Sequence, residues 1–225
     1  LINIHKSMAK HKLERFAENK TFGNLFQHDD YDIRNIGFPL QGKWHEHFKN
    51  DHPIIVEVGC GKGEYTIALA KQFPQFNFIG MDRKGARLWR GCKDGVEQHI
   101  DNAAFIRGKI DDITYFFAPG EVAEIWVTFP DPQPKKERRR LVSPNFVEKY
   151  KQVWNHNGIL HLKTDSRFLY QYLLETAEIQ HWNVTENIED VYANTKYPFL
   201  TEIQTFYEKK WLQEGSLISY IKIDF

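Results

Sequence analysis

Acidic side chains follow apolar runs at three places in the chain. Glu57 lies near the end of the run from Ile54 to Val58, Asp82 closes a second run, and Asp131 follows a third. If these runs are neighbouring strands of a parallel sheet, their carboxyl ends meet at one edge, where such sheets bind ligands. The three carboxylates are therefore predicted to surround one ligand site.

The glycines after the first run predict what kind of ligand this is. Gly59, Gly61 and Gly63 stand at every second position, which lets the backbone turn sharply and lets a ligand approach without a Cβ in its way. A helix ending before Pro74 and a second strand complete a strand–loop–helix–strand unit. An acidic residue about 20 positions after the glycines, here Asp82, is where nucleotide folds bind ribose hydroxyls. The unit is predicted to bind a nucleoside.

The string from Glu57 to Gly63 resembles the first motif of Rossmann-like S-adenosylmethionine methyltransferases. The dinucleotide fingerprint would need a third glycine where residue 64 is Glu. Adenosylmethionine is a sulfonium cation without phosphate, so it tolerates Glu57 and Glu64, whereas a pyrophosphate favours a helix start free of carboxylates. The alternative is that Glu57 only caps the loop and the glycines only make a tight turn.

A rigid carboxylate and a run of cations follow the fourth predicted strand. Pro130 and Pro132 keep the chain extended on both sides of Asp131. Five of the six residues from 135 to 140 are basic, namely Lys135, Lys136, Arg138, Arg139 and Arg140. Beside a carboxylate at a ligand edge they predict a phosphate clamp around a reacting base. The alternative is a solvated, charged loop.

Strands alternate with helices from residue 54 to residue 180, which predicts a parallel sheet with helical crossovers. We expect an α/β fold, doubly wound, with a mostly parallel seven-stranded sheet of the Rossmann-like methyltransferase type. The run 216–225 predicts an antiparallel C-terminal strand. Residues 28–225 are assigned to this domain, and residues 1–27 to a basic arm that is either mobile or in contact with a phosphate backbone.

Composition restricts the partners and the compartment. The 30 basic and 30 acidic residues balance, so any binding of nucleic acid must come from the placement of charge. Two cysteines, the lack of an apolar run of about 18 residues and the lack of a signal-peptide pattern predict a cytoplasmic protein without a membrane contact. His45, His47 and His52 match no metal-ligand spacing, so no metal is expected.

Five motifs in order resemble the bacterial tRNA (guanine-N7)-methyltransferase family. They are the glycine loop 57–63, the strand end 80–82, the block 131–140, Lys163 to Asp165, and Thr205 to Glu208 with Gly215 beyond. The resemblance implies methyl transfer from S-adenosylmethionine to N7 of guanine 46 in the variable loop of tRNA. The products would be 7-methylguanosine and S-adenosylhomocysteine, and the protein would be a monomer or a weak homodimer.

The resemblance also implies roles for single residues, with Asp131 as the active-site carboxylate. The cofactor contacts would be Glu57, Gly59, Gly61, Gly63, Asp82, Asp111 and Asp131. The substrate contacts would be Lys135, Arg138, Arg139, Arg140, Asp165, Thr205, Phe206, Tyr207 and Glu208. Three departures stand out: Gln133 replaces the family's Trp, Glu137 interrupts the basic block, and Lys109 occupies the place of a third cofactor carboxylate. Asp111 is the nearest acidic residue that could replace that carboxylate.

Guanine N7 carries an exposed lone pair, so the reaction needs no proton abstraction. Asp131 is therefore predicted to orient the base and to balance the charge that develops on it. Other functions remain open at this point. The FPDPQ string loosely resembles the motif of amino-methyltransferases that act on an exocyclic base amine; a small-molecule methyltransferase and a non-catalytic RNA-binding module are the further alternatives.

Overall fold

A computed structural model describes residues 13–225, and its centre is one eight-stranded sheet. The strands are β1 (Leu25–Gln27), β2 (Ile54–Val58), β3 (Asn77–Asp82), β4 (Ala103–Arg107), β5 (Val122–Thr128), β6 (Trp154–Thr164), β7 (Asn183–Ile188) and β8 (Ser219–Asp224). Their order is β1-β4-β3-β2-β5-β6-β8-β7, and β8 runs antiparallel to both of its neighbours, β6 and β7. This confirms the predicted α/β class and its antiparallel C-terminal strand, with eight strands where seven were expected.

Helices cover both faces of the sheet. They are α1 (13–18), α2 (Asp30–Asn35), α3 (Trp44–Phe48), α4 (Glu64–Gln72), α5 (Gly85–Glu97), α6 (Ile113–Phe116), α7 (Pro144–Tyr150), α8 (Arg167–Ile179), α9 (Phe199–Glu202) and α10 (Phe206–Gln213). Apolar residues of α4 and α5 form one core cluster, and those of α3, α7 and α8 form the other. Since helices lie on both faces, the sheet is doubly wound.

The eighth strand comes from the segment assigned to the basic arm. β1 pairs in parallel with β4, and its three residues are too few to produce a periodic pattern in the sequence. Ahead of it, Glu18 accepts a hydrogen bond from Trp89 Nε1 at 2.6 Å, and Asn19 donates one to the Gly85 carbonyl at 2.9 Å. Residues 13–27 therefore pack on α5 and β4; the earlier part of the predicted arm lies outside the described residues.

The strand order reverses at β2, which lies between β3 and β5. Glu57 is paired in register with Gly80 on one side and Trp126 on the other. At such a point the connections that follow two neighbouring strands run to opposite sides of the sheet, and this opens a crevice at the carboxyl edge. Glu57 lies at this crevice, and β3 ends beside it at Asp82.

Three glycines make room for one aromatic ring under the loop that follows β2. A Cβ on Gly63 would lie 2.4 Å from the Phe105 ring, and one on Gly80 or Gly91 would lie 2.8 or 2.6 Å from it. Gly63 also has a φ of +70°, which side chains rarely adopt. Gly63 is buried, so its role is close packing of α4 and α5 on the sheet; the sequence had assigned it to the cofactor.

We expect Gly63→Ala to lower the free energy of unfolding by about 2 to 4 kcal/mol, because it adds overpacking to a strained backbone. Gly120→Ala is the matched control, since Gly120 has a φ of +81° but nothing within 4 Å of its added Cβ. Gly120→Ala should lower the free energy of unfolding only by the cost of a side chain at positive φ, about 1 kcal/mol. Urea unfolding measures both; equal losses would contradict the packing role of Phe105.

Candidate active site

Glu57 joins three elements at the crevice. One of its oxygens accepts hydrogen bonds from the backbone N–H of Thr66, at 2.9 Å, and from the Thr66 hydroxyl, while the other accepts from the Thr128 hydroxyl. Only 4% of Glu57 is exposed, and this burial raises its pKa to about 7 although the hydrogen bonds oppose the shift. Ionised Glu57 is thus poorly solvated, and a nearby cation would favour it.

Asp82 fixes the glycine loop. Its Oδ2 accepts from the Gly61 N–H at 3.0 Å, and its Oδ1 accepts from the Lys84 N–H at 2.7 Å. A Cβ on Gly61 would meet nothing within 4 Å, whereas one on Gly59 would lie 3.2 Å from Leu141. Gly61 therefore leaves an open cradle at the crevice. Such a cradle beside two carboxylates fits a cationic nucleoside such as adenosylmethionine.

Two adjoining hollows flank the glycine loop. One, which we call the cleft, is lined by Glu57, the glycine loop, Thr128, Thr205 and Tyr207. The other, about 480 Å³ in volume, is lined by Asp82, Asp111, Gln133, Arg138, Arg139 and Leu141. That volume lies in the range of pockets that hold small molecules. The structure thus places the loop 131–140 on the same side of the sheet as the glycine turn.

The position expected to carry a third cofactor carboxylate holds an ion pair instead. Lys109 is paired with Asp30 from α2. Asp111 does line the hollow with Asp82, but it is exposed and paired with Lys149 at 2.6 Å. Asp30 therefore balances the charge of Lys109, although it lines neither hollow. No pattern in the sequence predicts this pair, because α2 and the turn after β4 are far apart in the chain.

Asp131 and Asp165 follow adjacent strands at the same edge. Thr128 of β5 is in register with Lys163 of β6. Asp131 is exposed, and its Oδ1 accepts from the Gln133 N–H at 3.0 Å, which orients the carboxylate. Asp165 is half-buried, and burial raises its pKa. Both carboxylates therefore lie at the ligand edge that the sequence predicted.

The backbone that carries Asp131 is unusual. Phe129 has a φ of +46° and Gln133 a φ of +45°, values that non-glycine residues seldom adopt. The Phe129 N–H donates to the Lys163 carbonyl at 2.8 Å, which holds the first of these turns. Strained backbone of this kind persists where the surrounding structure enforces it, often at functional sites.

The basic loop divides into exposed and buried cations. Lys135, Arg138 and Arg139 are exposed. Arg140 is 7% exposed and donates to the carbonyls of Gln133 and Pro134 at 3.3 and 3.1 Å. Its guanidinium also lies over the rings of two aromatic residues of α8, at 4.1 Å from Tyr172 and 4.7 Å from Phe168. Arg140 therefore shapes the loop, and its contact with the substrate stays a prediction.

The run 205–208 likewise contains both exposed and buried residues. Thr205 caps α10 by accepting from the Glu208 N–H at 3.1 Å, and both Thr205 and Tyr207 line the cleft. Phe206 is exposed, with Lys62 4.5 Å from its ring centre. Glu208, in contrast, is fully buried and bonded to Lys163 and Tyr192. The predicted contact of Glu208 with the substrate does not fit this structure, because protein groups surround its carboxylate.

Two cations of the cleft were not among the predicted site residues. Lys62 and Arg87 line it together with Tyr207, and both are exposed. Helical spacing places Arg87 on one face of α5 with Arg90, but it does not indicate which way that face points.

Across residues 13–225, no helix is long and apolar enough to cross a membrane. Within the same residues, no group of three or more His, Cys, Asp or Glu is placed to hold a metal ion.

The raised pKa of Glu57 predicts a pH-dependent stability. Between pH 4.5 and about 7 folded Glu57 retains a proton that the unfolded chain has lost, so the contribution of Glu57 to the free energy of unfolding falls as pH rises through this range. The loss amounts to about 3 kcal/mol. Glu57→Gln should remove this fall and be at least as stable as the wild type at pH 8. The exposed Glu46→Gln should keep the wild-type profile in urea unfolding at each pH; a fall that persists in Glu57→Gln would contradict the assignment.

Comparison with known proteins places this chain in a family. Residues 51–220 match the family model described as "Putative methyltransferase". A tRNA (guanine-N(7)-)-methyltransferase of Christiangramia forsetii is 49% identical over 95% of this chain and 97% of its own length. Enzymes of the same name from Bacteroides fragilis and Cytophaga hutchinsonii are 45% and 43% identical, over 96% and 97% of this chain and 86% and 99% of theirs.

Solved structures share the fold at low identity. A 16S rRNA methyltransferase, KamB, superposes with a TM-score of 0.63 at 11% identity, over 82% of this chain and 93% of its own. A 30S ribosomal A1408 methyltransferase from an uncultured bacterium gives 0.58 at 18% identity, over 81% and 92%. These two establish the fold, while the relatives establish the family. With its glycine loop, acidic strand ends and basic loop on one edge of the sheet, the chain belongs to the tRNA (guanine-N(7)-)-methyltransferase family.

Proposed function

We propose that this protein transfers the methyl group of S-adenosylmethionine to N7 of a guanine in tRNA. The observation that carries the proposal is the meeting of two kinds of charge at one crevice. Glu57 and Asp82 lie beside the glycine loop, and the exposed Arg138 and Arg139 line the adjoining hollow. Carboxylates favour a cationic donor, and exposed arginines favour a polyanionic acceptor. Within the family, the target we propose is guanine 46 in the variable loop.

Two residues and the glycine loop would hold the cofactor. Asp82 is placed to accept ribose hydroxyls, Gly61 leaves room for the ligand, and Glu57 balances positive charge. When bound, adenosylmethionine supplies an electrophilic methyl group on a positively charged sulfur. We also propose that the protein works in the cytoplasm, as a monomer or a weak homodimer.

The chain's own task is to hold the base and to balance its charge. Guanine N7 needs no general base, so Asp131 acts as an oriented anion beside the purine as positive charge develops there. Its orientation comes from the Gln133 N–H and from the two left-handed turns around it. Holding the reactants in line supplies the rest of the acceleration. Burial raises the pKa of the Cys60 thiol, so a thiolate takes no part.

We expect cations that line both hollows to contact the acceptor RNA. Arg138 and Arg139 line one hollow, Lys62 and Arg87 line the other, and the exposed Lys135 belongs to the same loop as Arg138. Cations contact phosphates and set the register of the RNA without reading its sequence. The exposed rings of Phe206 and Tyr207 offer faces on which an unpaired base stacks.

Labelled-methyl transfer to bulk tRNA, followed by mass spectrometry of the nucleosides, tests the function. We expect 7-methylguanosine as the product and no transfer to a tRNA in which guanine 46 is replaced by adenine. A methylated exocyclic amine would instead identify an amino-methyltransferase. Binding of tRNA without binding of adenosylmethionine in titration calorimetry would identify a non-catalytic RNA-binding module.

Asp131→Asn should lower kcat by about 100-fold, because it removes the charge that opposes the cation forming on the purine. The Asn side chain can still accept from the Gln133 N–H, so the turn and the affinity for tRNA should be retained. Single-turnover kinetics with saturating tRNA separates these effects. Full turnover with intact tRNA binding would refute the electrostatic role.

The two classes of arginine in the basic loop should respond differently to substitution. Arg138→Gln with Arg139→Gln should weaken tRNA binding and reduce the slope of log K against log salt by about 1.5, since each phosphate contact contributes about 0.7 to 0.9.

Arg140→Gln is the contrasting variant. It should lower the melting temperature, because a buried, stacked guanidinium is lost. The slope of log K against log salt for tRNA binding should remain the same as in the wild type. Filter binding measures this slope. A reduced slope in Arg140→Gln would show that Arg140 contacts phosphate.

A further inference from the structure

A lysine is completely buried at the end of β6. Lys163 is 0% exposed, and its ammonium group donates to the carbonyls of Leu200 and Ile203, the latter at 3.2 Å. It also pairs with Glu208 at 2.7 Å, and Glu208 is equally buried. The three N–H groups of a lysine thus match three acceptors. The Tyr192 hydroxyl donates to the same carboxylate at 2.9 Å.

Stability alone does not account for such a pair. Burial lowers the pKa of Lys163, while Glu208 opposes that shift. Removing two charges from water costs much of what their attraction returns, and well-packed apolar residues often stabilise a fold as well. A buried pair with specific hydrogen bonds does, however, favour one arrangement of the groups around it. The relevant question is therefore which segment this pair fixes.

The segment is the chain from α9 to the start of α10. The carbonyls of Leu200 and Ile203 lie at the end of α9, and Glu208 lies in the first turn of α10. One ammonium group thus holds both sides of the link between these helices. The backbone carbonyl of Lys163 meanwhile accepts from Phe129, which begins the turn that carries Asp131. Lys163 is therefore bonded to both walls of the cleft.

The fixed segment carries groups that line the cleft. Thr205 and Tyr207 line it beside the glycine loop, and the Phe206 N–H donates to Glu64 of α4 at 3.3 Å. Resting on the function proposed above, we propose that Lys163 is a positioning residue for methyl transfer. From beneath the segment, it fixes residues 200–208 so that Thr205 and Tyr207 lie where the guanine must enter. Glu208 serves as its partner, and neither residue touches the substrate.

Four variants test this role. Lys163→Met keeps the length of the side chain without its charge, and Glu208→Gln keeps hydrogen-bonding capacity without charge. Lys163→Met with Glu208→Met replaces the pair by apolar residues. Lys222→Met is the matched control, because Lys222 lies on the adjacent strand β8 and pairs with Asp224 at 3.3 Å. The measurements are kcat and KM for tRNA, the dissociation constant of adenosylmethionine, the melting temperature and amide hydrogen exchange.

Lys163→Met should lower kcat/KM for tRNA by about 100-fold, because misplacement of positioning groups by about 1 Å costs that much. Amides of residues 200–208 should exchange about tenfold faster, with the rest of the sheet unchanged. The dissociation constant of adenosylmethionine should change less than about threefold, since Asp82 and the glycine loop are separate from the segment. Glu208→Gln should show the same pattern to a smaller degree, and Lys222→Met should behave as the wild type.

The apolar double variant separates positioning from folding. It should regain much of the melting temperature lost in Lys163→Met, but not kcat/KM. Recovery of both would mean that the pair serves folding only, and would overturn the proposal. Wild-type exchange of residues 200–208 in Lys163→Met would also overturn it. If the wild type made no 7-methylguanosine, the proposed function would fail, whereas faster exchange confined to this segment would still establish the tether.

Discussion

The site depends on one buried carboxylate at the point where the strand order reverses. Glu57 binds Thr66 at the start of α4 and Thr128 at the end of β5, so it fixes the loop, the helix and the neighbouring strand relative to one another. The two interpretations of Glu57 that the sequence left open are therefore compatible. It caps the loop, and when ionised it also holds a poorly solvated negative charge where a cationic ligand would lie. Burial is what gives one side chain both properties.

Charged residues around the crevice have two tasks, and burial separates them. Arg140, Lys163 and Glu208 are enclosed, and their hydrogen bonds shape the loop 131–140 and the start of α10. Asp131 and Arg138 are exposed at the surface that these residues shape. Enclosed charges act at short range in a low dielectric, so they determine geometry, whereas exposed charges are screened and act on what binds.

Much of the fold was readable from the sequence because its central strands are buried on both faces. Runs such as Ile54–Val58 and Asn77–Asp82 consist largely of apolar residues, and they are the strands β2 and β3. β1 was not predicted, because a strand of three residues carries no periodic pattern. The residue types alone place the acidic and basic groups at the edge, but they do not indicate which of them are enclosed.

Arg140 and Glu208 illustrate why the remaining part of the site was not predictable. Nothing in five cations over six positions distinguishes Arg140, whose burial depends on Tyr172, a residue of α8 more than thirty positions later. Glu208 lies in a motif that suggests contact with the substrate, yet its partner Lys163 reaches it only because β6 ends beneath α10. Lys109, which stands where a carboxylate was expected, follows the same logic, since it pairs with Asp30 of α2, a helix that lies between β1 and β2. The chemistry of such a site resides in local motifs, whereas its geometry depends on pairs of residues that only the completed fold brings together.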